Sequence, residues 1–339
     1  MDSRVRREKH MNPVVTVVIP TARRPHYLPR AIDSALAGMD PGEIEVIVIP
    51  NGPDQSWRQV LHPYRNNPSL HTVSILEGNA NKARNKGLAE AHGEYIRFLD
   101  DDDFLIPNAA KRQYELIQST GADVVSGDVK LVDEDGHCFD TWKQPLVNDF
   151  CTAMLGPRRV CLPVAHVYRR NIIEDAKWNP ETRGRQDVEW VFDLCASREL
   201  HWEKLNEVVG AWQHHSGKRI SSSNDFKIIR NKLTAPMLIK TYESLKNQSR
   251  INEIRRRAVA TGLWGFVHGS FFIDPNYWCS IARKAHQVDA AAKPLQAIYH
   301  LPVFRHLNPL LIQWILMPKR WIKFHIKETL RKMQSRGRL

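Results

Sequence analysis

The stretch Tyr95-Ile96-Arg97-Phe98-Leu99-Asp100-Asp101-Asp102-Asp103 decides how this chain is read. A short, mainly apolar run of strand-forming residues leads directly into four consecutive carboxylates. Adjacent carboxylates repel one another, and a folded chain rarely keeps four together unless a cation neutralises them. Their oxygens are hard ligands, matched to Mg²⁺ or Mn²⁺ rather than to zinc. An acidic cluster at the carboxyl end of a strand also stands where open α/β sheets take their ligands. A solvated acidic turn is the alternative. The closing Phe104-Leu105-Ile106-Pro107 ties the run back into the fold and favours a metal-bearing site.

Outward from that stretch, strands alternate with helices. Val14–Ile19 is a β-branched run ended by Pro20, and Ile44–Ile49 is a second, ending in the Asn51-Gly52-Pro53 turn. Between them Leu28, Ala31, Ile32, Ala35 and Leu36 recur at helical spacing. His71–Leu76 reads as a third strand, and Asn81–His92 as a helix stopped by Gly93. Tyr95–Leu99 is the fourth strand, Pro107 opens a helix to Thr120, and Ala122–Ser126 is a fifth strand. Such alternation predicts an α/β fold with a mostly parallel sheet. Beyond Gly127 the pattern turns irregular. Asp135-Gly136 fits a hairpin turn between Val129–Val132 and Cys138–Trp142, Cys161–Tyr168 fits a strand, and Gln186–Ser197 fits a helix.

Composition bounds the possibilities. The 339 residues suffice for one large domain with an appendage, and 42% hydrophobic with 25% charged residues is ordinary for a globular protein. A net charge of +12 is not ordinary. The five cysteines, scattered without a CxxC pair, point to a reducing compartment and to neither a zinc site nor a disulfide framework. The first apolar run is too short for a signal sequence, and no stretch approaches the roughly 20 apolar residues of a spanning helix. A cytoplasmic location follows as an expectation, with peripheral contact to the inner face of the membrane added by the basic carboxyl end.

Taken in order, these pieces resemble the family 2 glycosyltransferases, inverting enzymes of the GT-A fold. The resemblance runs from about Pro13 to Ser223. It rests on Val17-Val18-Ile19-Pro20-Thr21, Glu45–Gly52, Ala83-Arg84-Asn85-Lys86-Gly87-Leu88, the Gly93–Asp103 stretch, Gln186-Asp187-Val188-Glu189-Trp190 and His214-His215. It implies a tail over residues 1–12, a catalytic domain over 13–225 with a donor half (13–127) and an acceptor half (128–225), and a basic helical region over 226–339. It also implies roles. Pro20 and Thr21 would frame the nucleotide base, with Asn51 standing where the family usually has an aspartate. An amide can accept the same N–H bond, though Asn51 equally fits a tight Asn-Gly turn. Arg84 would meet the ribose or the diphosphate. As a DxD motif, Asp100 would take the ribose hydroxyls and Asp102 the Mn²⁺ or Mg²⁺. Asp101, on the donor side, or Asp103 could share these roles, because four in a row leave the register open by one. His215 would meet the metal or the diphosphate. Lys218 and Arg219 would face the leaving diphosphate. Asp187 would be the general base, with Gln186 and Trp190 on the acceptor, although Trp190 also suits a core position.

The activity implied is metal-dependent, inverting transfer of a sugar from a nucleotide-diphosphate donor, UDP-linked by analogy, to a saccharide or lipid-linked saccharide. The relatives' setting is surface polysaccharide or lipopolysaccharide biosynthesis. Two alternatives stand beside it: a sugar-nucleotidyltransferase, and a non-catalytic sugar-nucleotide or glycolipid binder of the same fold. Thr21-Ala22-Arg23-Arg24-Pro25 is basic but lacks the glycines the former would show after its first strand. At the carboxyl end, Pro318–Leu339 holds eight Lys or Arg against Glu328 alone. Leu311, Trp314, Ile315, Ile322, Ile326, Leu330 and Met333 recur beside the basic stripe of Lys319, Lys323, Lys327 and Arg331. Such a helix suits an anionic bilayer surface, or packs on its own protein with a solvated basic face. No nucleic-acid-binding motif accompanies the charge.

Overall fold

The computed structural model describes residues 13–37, 39, 40, 42–215 and 224–336. The expected tail over residues 1–12 lies outside them. The chain divides into two units, Met1–Phe150 with Val160–Gly217, and Cys151–Arg159 with Lys218–Leu339.

The first unit is built on one sheet. Its elements in chain order are β1 (Val15–Thr21), α1 (Leu28–Leu36), β2 (Ile44–Pro50), α2 (Trp57–Leu61), β3 (Leu70–Thr72), α3 (Ala80–Glu90), β4 (Tyr95–Phe98), β5 (Phe104–Leu105), α4 (Pro107–Thr120), β6 (Val124–Val132) and β7 (Cys138–Trp142). After α5 (Phe150–Leu155) follow β8 (His166–Arg169), α6 (Arg170–Ile173), α7 (Gln186–Ser197) and β9 (Trp202–Gln213). The strand order is β3-β2-β1-β4-β8-β6-β9-β5, with β7 on β6. Every residue of β1 and β2 is buried, as near-continuous apolar runs of central parallel strands should be. β1 pairs in parallel with both β2 and β4, in the registers Thr21↔Pro50 and Val18↔Phe98. That pairing delivers Thr21, Asn51 and the four aspartates to one edge of the sheet.

Past β4 the sheet becomes mixed. β8 runs antiparallel to both β4 and β6, while β6 and β9 are parallel to each other. Beyond Gly127 the expected irregularity takes the form of register shifts: β6 runs on through it, but its pairing with β9 slips on both sides of Asp128. A Cβ on Gly127 would stand 2.2 Å from Val209 Cγ1, so glycine permits the close pairing of β6 with β9. β9 itself escapes the sequence pattern, because Glu203, Lys204 and Glu207 interrupt its apolar residues and Gly210 sits within it. Cys161–Tyr168 is not one strand. Pro163 opens a short 3₁₀ turn, and pairing begins only at His166. Gly93 is not the stop of a helix, since α3 ends at Glu90. It lets the chain cross Thr16, whose backbone N would lie 2.5 Å from an added Cβ, and its N–H donates to Thr16 Oγ1. Gly121, at φ +66°, caps α4.

At the sheet centre, His166 accepts from Ser126 Oγ at 2.7 Å through Nδ1 and donates from Nε2 to the Val160 carbonyl at 2.7 Å. Both nitrogens are satisfied in the neutral ring. Burial lowers its pKa from 6.5 to about 4, against the Val160 hydrogen bond and with the Arg97 charge. The unfolded chain therefore binds a proton that the folded one refuses between those values. Stability present above pH 6.5 should fall by up to about 3 kcal/mol as pH drops toward 4. Denaturant unfolding at pH 7 and pH 4.5 checks this, and His166→Gln should narrow the difference.

The second unit is helical: α8 (Asn224–Asn247), α9 (Glu253–Ser270), α10 (Pro275–Val288) and α11 (Pro309–Arg336). α9 packs on α8 and α10 through Val259, Leu263, Trp264 and Val267, all buried. On α11, Ile312 and Gln313 are buried, whereas Leu311, Trp314, Ile315, Trp321, Ile322 and Ile326 stay exposed. Among the described residues no helix is long and apolar enough to cross a membrane.

Candidate active site

The aspartates form a turn directly after β4, closed by Asp103 N–H donating to the Asp100 carbonyl at 3.1 Å. β5 then pairs with β9 through Phe104↔Ala211, which carries the end of β9 and His215 to the same place. Each carboxylate has a partner, and two of them share Arg24. Asp100 meets Arg84 Nη2 at 2.5 Å. Asp101, only 2% exposed, accepts from Thr21 Oγ1 at 2.7 Å and from Arg24 Nη2 at 2.8 Å. Asp102 meets Arg24 Nη1 at 2.7 Å and His215 Nε2 at 3.0 Å, and Asp103 accepts from the Gln213 N–H at 3.0 Å. Burial first, then the charges of Asp102 and Asp100, push the Asp101 carboxyl up to about 7 against the pull of Arg24 and Thr21.

Arg24 is the residue that sequence reading missed. It stands just after β1, and Arg23 before it adopts φ +60°, in the left-handed region. Its guanidinium bridges Asp101 and Asp102 and lies 3.1 Å from His215 Nε2. Tyr27 stacks on the His215 ring with centroids 4.8 Å apart. The cation that four carboxylates demand is thus supplied in part by the protein. The only signal in the sequence was the basic pair Arg23-Arg24 just after the first strand.

Of the other expected site residues, Pro20 lies at the end of β1 opposite Ile49. Asn51 is buried and donates from its amide to the Thr21 carbonyl at 2.9 Å. The adjacent Gly52 has φ +102°, so the turn is also real. Arg84 is buried, and its guanidinium lies 4.5 Å from the centroid of the Trp178 ring. Trp178 stacks on Trp190 at 4.9 Å and 7°, and Trp190 is buried with Phe98 and Tyr168 around it. Trp190 therefore stands in the core, as the backing of the ring that supports Arg84. Trp178→Ala should destabilise the fold by about 3–5 kcal/mol, measured by denaturant unfolding.

Asp187 sits half-buried in the first turn of α7, where the helix dipole favours a carboxylate. Among the described residues it has no hydrogen-bond partner and no ion pair with the aspartates. Gln186 beside it donates to the Thr182 carbonyl at 2.9 Å. Lys218 and Arg219 lie outside the described residues.

The family model described as "Glycosyl transferase family 2" matches residues 16–175, which span β1 through α6 and include all four aspartates. Over residues 16–175 the chain carries a glycosyltransferase family 2 domain. An uncharacterized glycosyltransferase of Nostoc is 27% identical over 172 residues, covering 47% of this chain and 52% of that protein. The chain thus spans about half the length of that curated relative. Two solved structures share the fold. Staphylococcus aureus TarS 1–349 in complex with UDP-GlcNAc superposes with a TM-score of 0.62 at 17% identity, covering 94% of this chain and 91% of that one. The mannosyltransferase PcManGT of Pyrobaculum calidifontis, in complex with GDP-Man and Mn²⁺, gives 0.51 at 13% identity over 92% and 88%. The expected GT-A architecture with a helical carboxyl-terminal region is therefore the one observed. The sheet edge holding Thr21, Asn51 and Asp100–Asp103 lies at the carboxyl ends of parallel strands, where open α/β sheets take their ligands.

Proposed function

We propose that this protein is a metal-dependent, inverting glycosyltransferase. It moves a sugar from a nucleotide-diphosphate donor, UDP-linked in our reading, to a hydroxyl of a saccharide or lipid-linked saccharide in surface-polysaccharide synthesis. The observation that carries the reading is the convergence of oxygens from Asp100, Asp102 and Asp103 within 4.8 Å of one another, at the carboxyl ends of parallel strands. The residues fit a divalent ion: hard carboxylate oxygens suit Mg²⁺, and a neutral imidazole from His215 beside Asp102 makes Mn²⁺ the better match. When bound, such an ion supplies charge neutralisation to the diphosphate of the departing nucleotide.

The chain's own residues do the rest. Asp100 holds the ribose hydroxyls, and Arg84, fixed on Trp178, neutralises diphosphate charge. Thr21 and Asn51 border the base, and Asp101 with Arg24 keeps the acidic turn in shape. Lys218 and Arg219 complete the phosphate side. Asp187 takes the proton from the acceptor hydroxyl as that oxygen attacks the anomeric carbon. Gln186 hydrogen-bonds the acceptor. The exposed apolar side chains of α11, beside Lys319 and Lys323, rest against an anionic bilayer on the inner face of the membrane. The reading is tested by following release of nucleoside diphosphate from UDP- and GDP-sugars with and without EDTA. Release of pyrophosphate instead would mark a nucleotidyltransferase, and tight donor binding without any release would mark a binder.

A further inference from the structure

One nitrogen of Arg24 touches both of the side-chain atoms that Mn²⁺ would take from Asp102 and His215. Nη1 lies 2.7 Å from Asp102 Oδ2 and 3.1 Å from His215 Nε2, and those two atoms are 3.0 Å from each other. The guanidinium therefore stands in a triangle with a carboxylate oxygen and an imidazole nitrogen, a donor pair that suits a divalent ion. Two positive centres on one carboxylate oxygen repel each other at the short range where charge interactions in a protein are strongest. His215 adds a second conflict. While Nε2 accepts from Arg24, its single lone pair is engaged and cannot also ligate a metal.

The groups around Arg24 are fixed, and Arg24 is the member placed to move. Asp101 is held by Thr21 Oγ1 at 2.7 Å, and Asp103 by the Gln213 N–H at 3.0 Å. The His215 side chain is 1% exposed and stacked on Tyr27. The Arg24 side chain, by contrast, is 33% exposed. It stands on the connection between β1 and α1, outside both elements. Arg23 before it, at φ +60°, holds a conformation that costs a non-glycine residue backbone energy and persists only where surrounding contacts impose it. The ion pairs of Arg24 with Asp101 and Asp102 are such contacts.

We infer, resting on the divalent-ion reading of this site, that Arg24 is the ion's competitor within the chain: its guanidinium must leave Asp102 before a metal is held there. Arg24 thereby sets the metal affinity of the acidic turn. That affinity is the difference between two cations on the same carboxylate, not the full attraction of four aspartates for one. The turn keeps its shape without an ion because a cation of its own stands in.

The experiment titrates the full chain with Mn²⁺, in the absence of nucleotide and sugar, by calorimetry and by the paramagnetic resonance signal of the free ion. It compares wild type with Arg24→Gln, which keeps a hydrogen-bonding side chain and removes the charge. Loss of the competing cation should tighten Mn²⁺ binding by about tenfold or more. The sign is decisive, because an arginine that only shaped the turn would weaken metal binding on removal. Should Arg24→Gln fail to fold, Arg24→Lys decides: an ammonium lacks the fork that spans Asp101 and Asp102, and binding should tighten by about threefold. Mn²⁺ binding by the variant but not by wild type is the strongest form of the expected result. Binding by wild type that the folded variant matches or falls below overturns the competition alone. No binding by either protein overturns it together with the metal-dependent reading.

Discussion

Asp102→Ala is expected to lower sugar transfer by about a thousandfold or more, the equivalent of several kcal/mol of lost charge stabilisation in the transition state. Its carboxylate is central to the acidic turn, meeting Arg24 and His215 together. Arg24 keeps Asp101 as a partner when Asp102 is removed, so the turn should survive. Thermal unfolding of the variant should therefore stay close to wild type while Mn²⁺ affinity and turnover collapse. A folded variant with wild-type turnover would remove Asp102 from the site. Adding EDTA to wild type should produce a loss of the same order, and excess Mn²⁺ should reverse it.

Asp187→Asn should reduce kcat by about 10²–10⁴-fold with little change in donor affinity. Asparagine is nearly isosteric and cannot accept the proton. Because Asp187 has no hydrogen-bond partner among the described residues, the structural consequence is confined to the helix dipole, about 0.3–1 kcal/mol. The decisive comparison sets kcat on the acceptor against calorimetric affinity for the donor. A parallel drop in both would indicate a binding role, and unchanged kcat would place the base elsewhere.

Much of the fold was legible because its signals are local. The apolar runs at Val15, Ile44 and Tyr95 announce buried strands by composition alone. Pro107 and Gly121 punctuate α4 at both ends, since each acts through its own backbone. The failures share a cause. Gly93 and Gly127 look like breakers in a linear reading, yet their glycines serve Thr16 and Val209, which are far away in sequence. β9 carries three charged residues and a glycine in its run, and only its pairing with β6 makes it a strand. The aspartates, Arg84 and His215, singled out from motifs in order and spacing, do come together in space. Arg24, which bridges two of those aspartates, was not among them.

The sequence by itself determined β1, α1, β2, α3, β4 and α4, the position of the acidic turn at a strand end and the basic carboxyl-terminal stretch. Each of these follows from periodicity, turn chemistry or charge count. It did not determine α2, β5 or the bounds of β3, which is Leu70–Thr72 rather than His71–Leu76. The tertiary structure alone decided that Arg24 would sit between Asp101 and Asp102, that His215 would reach Asp102 from 113 residues away, and that Trp190 would back Trp178 and hence Arg84. Strand order and register choose which distant side chains converge, and neither is written in any local stretch of the chain.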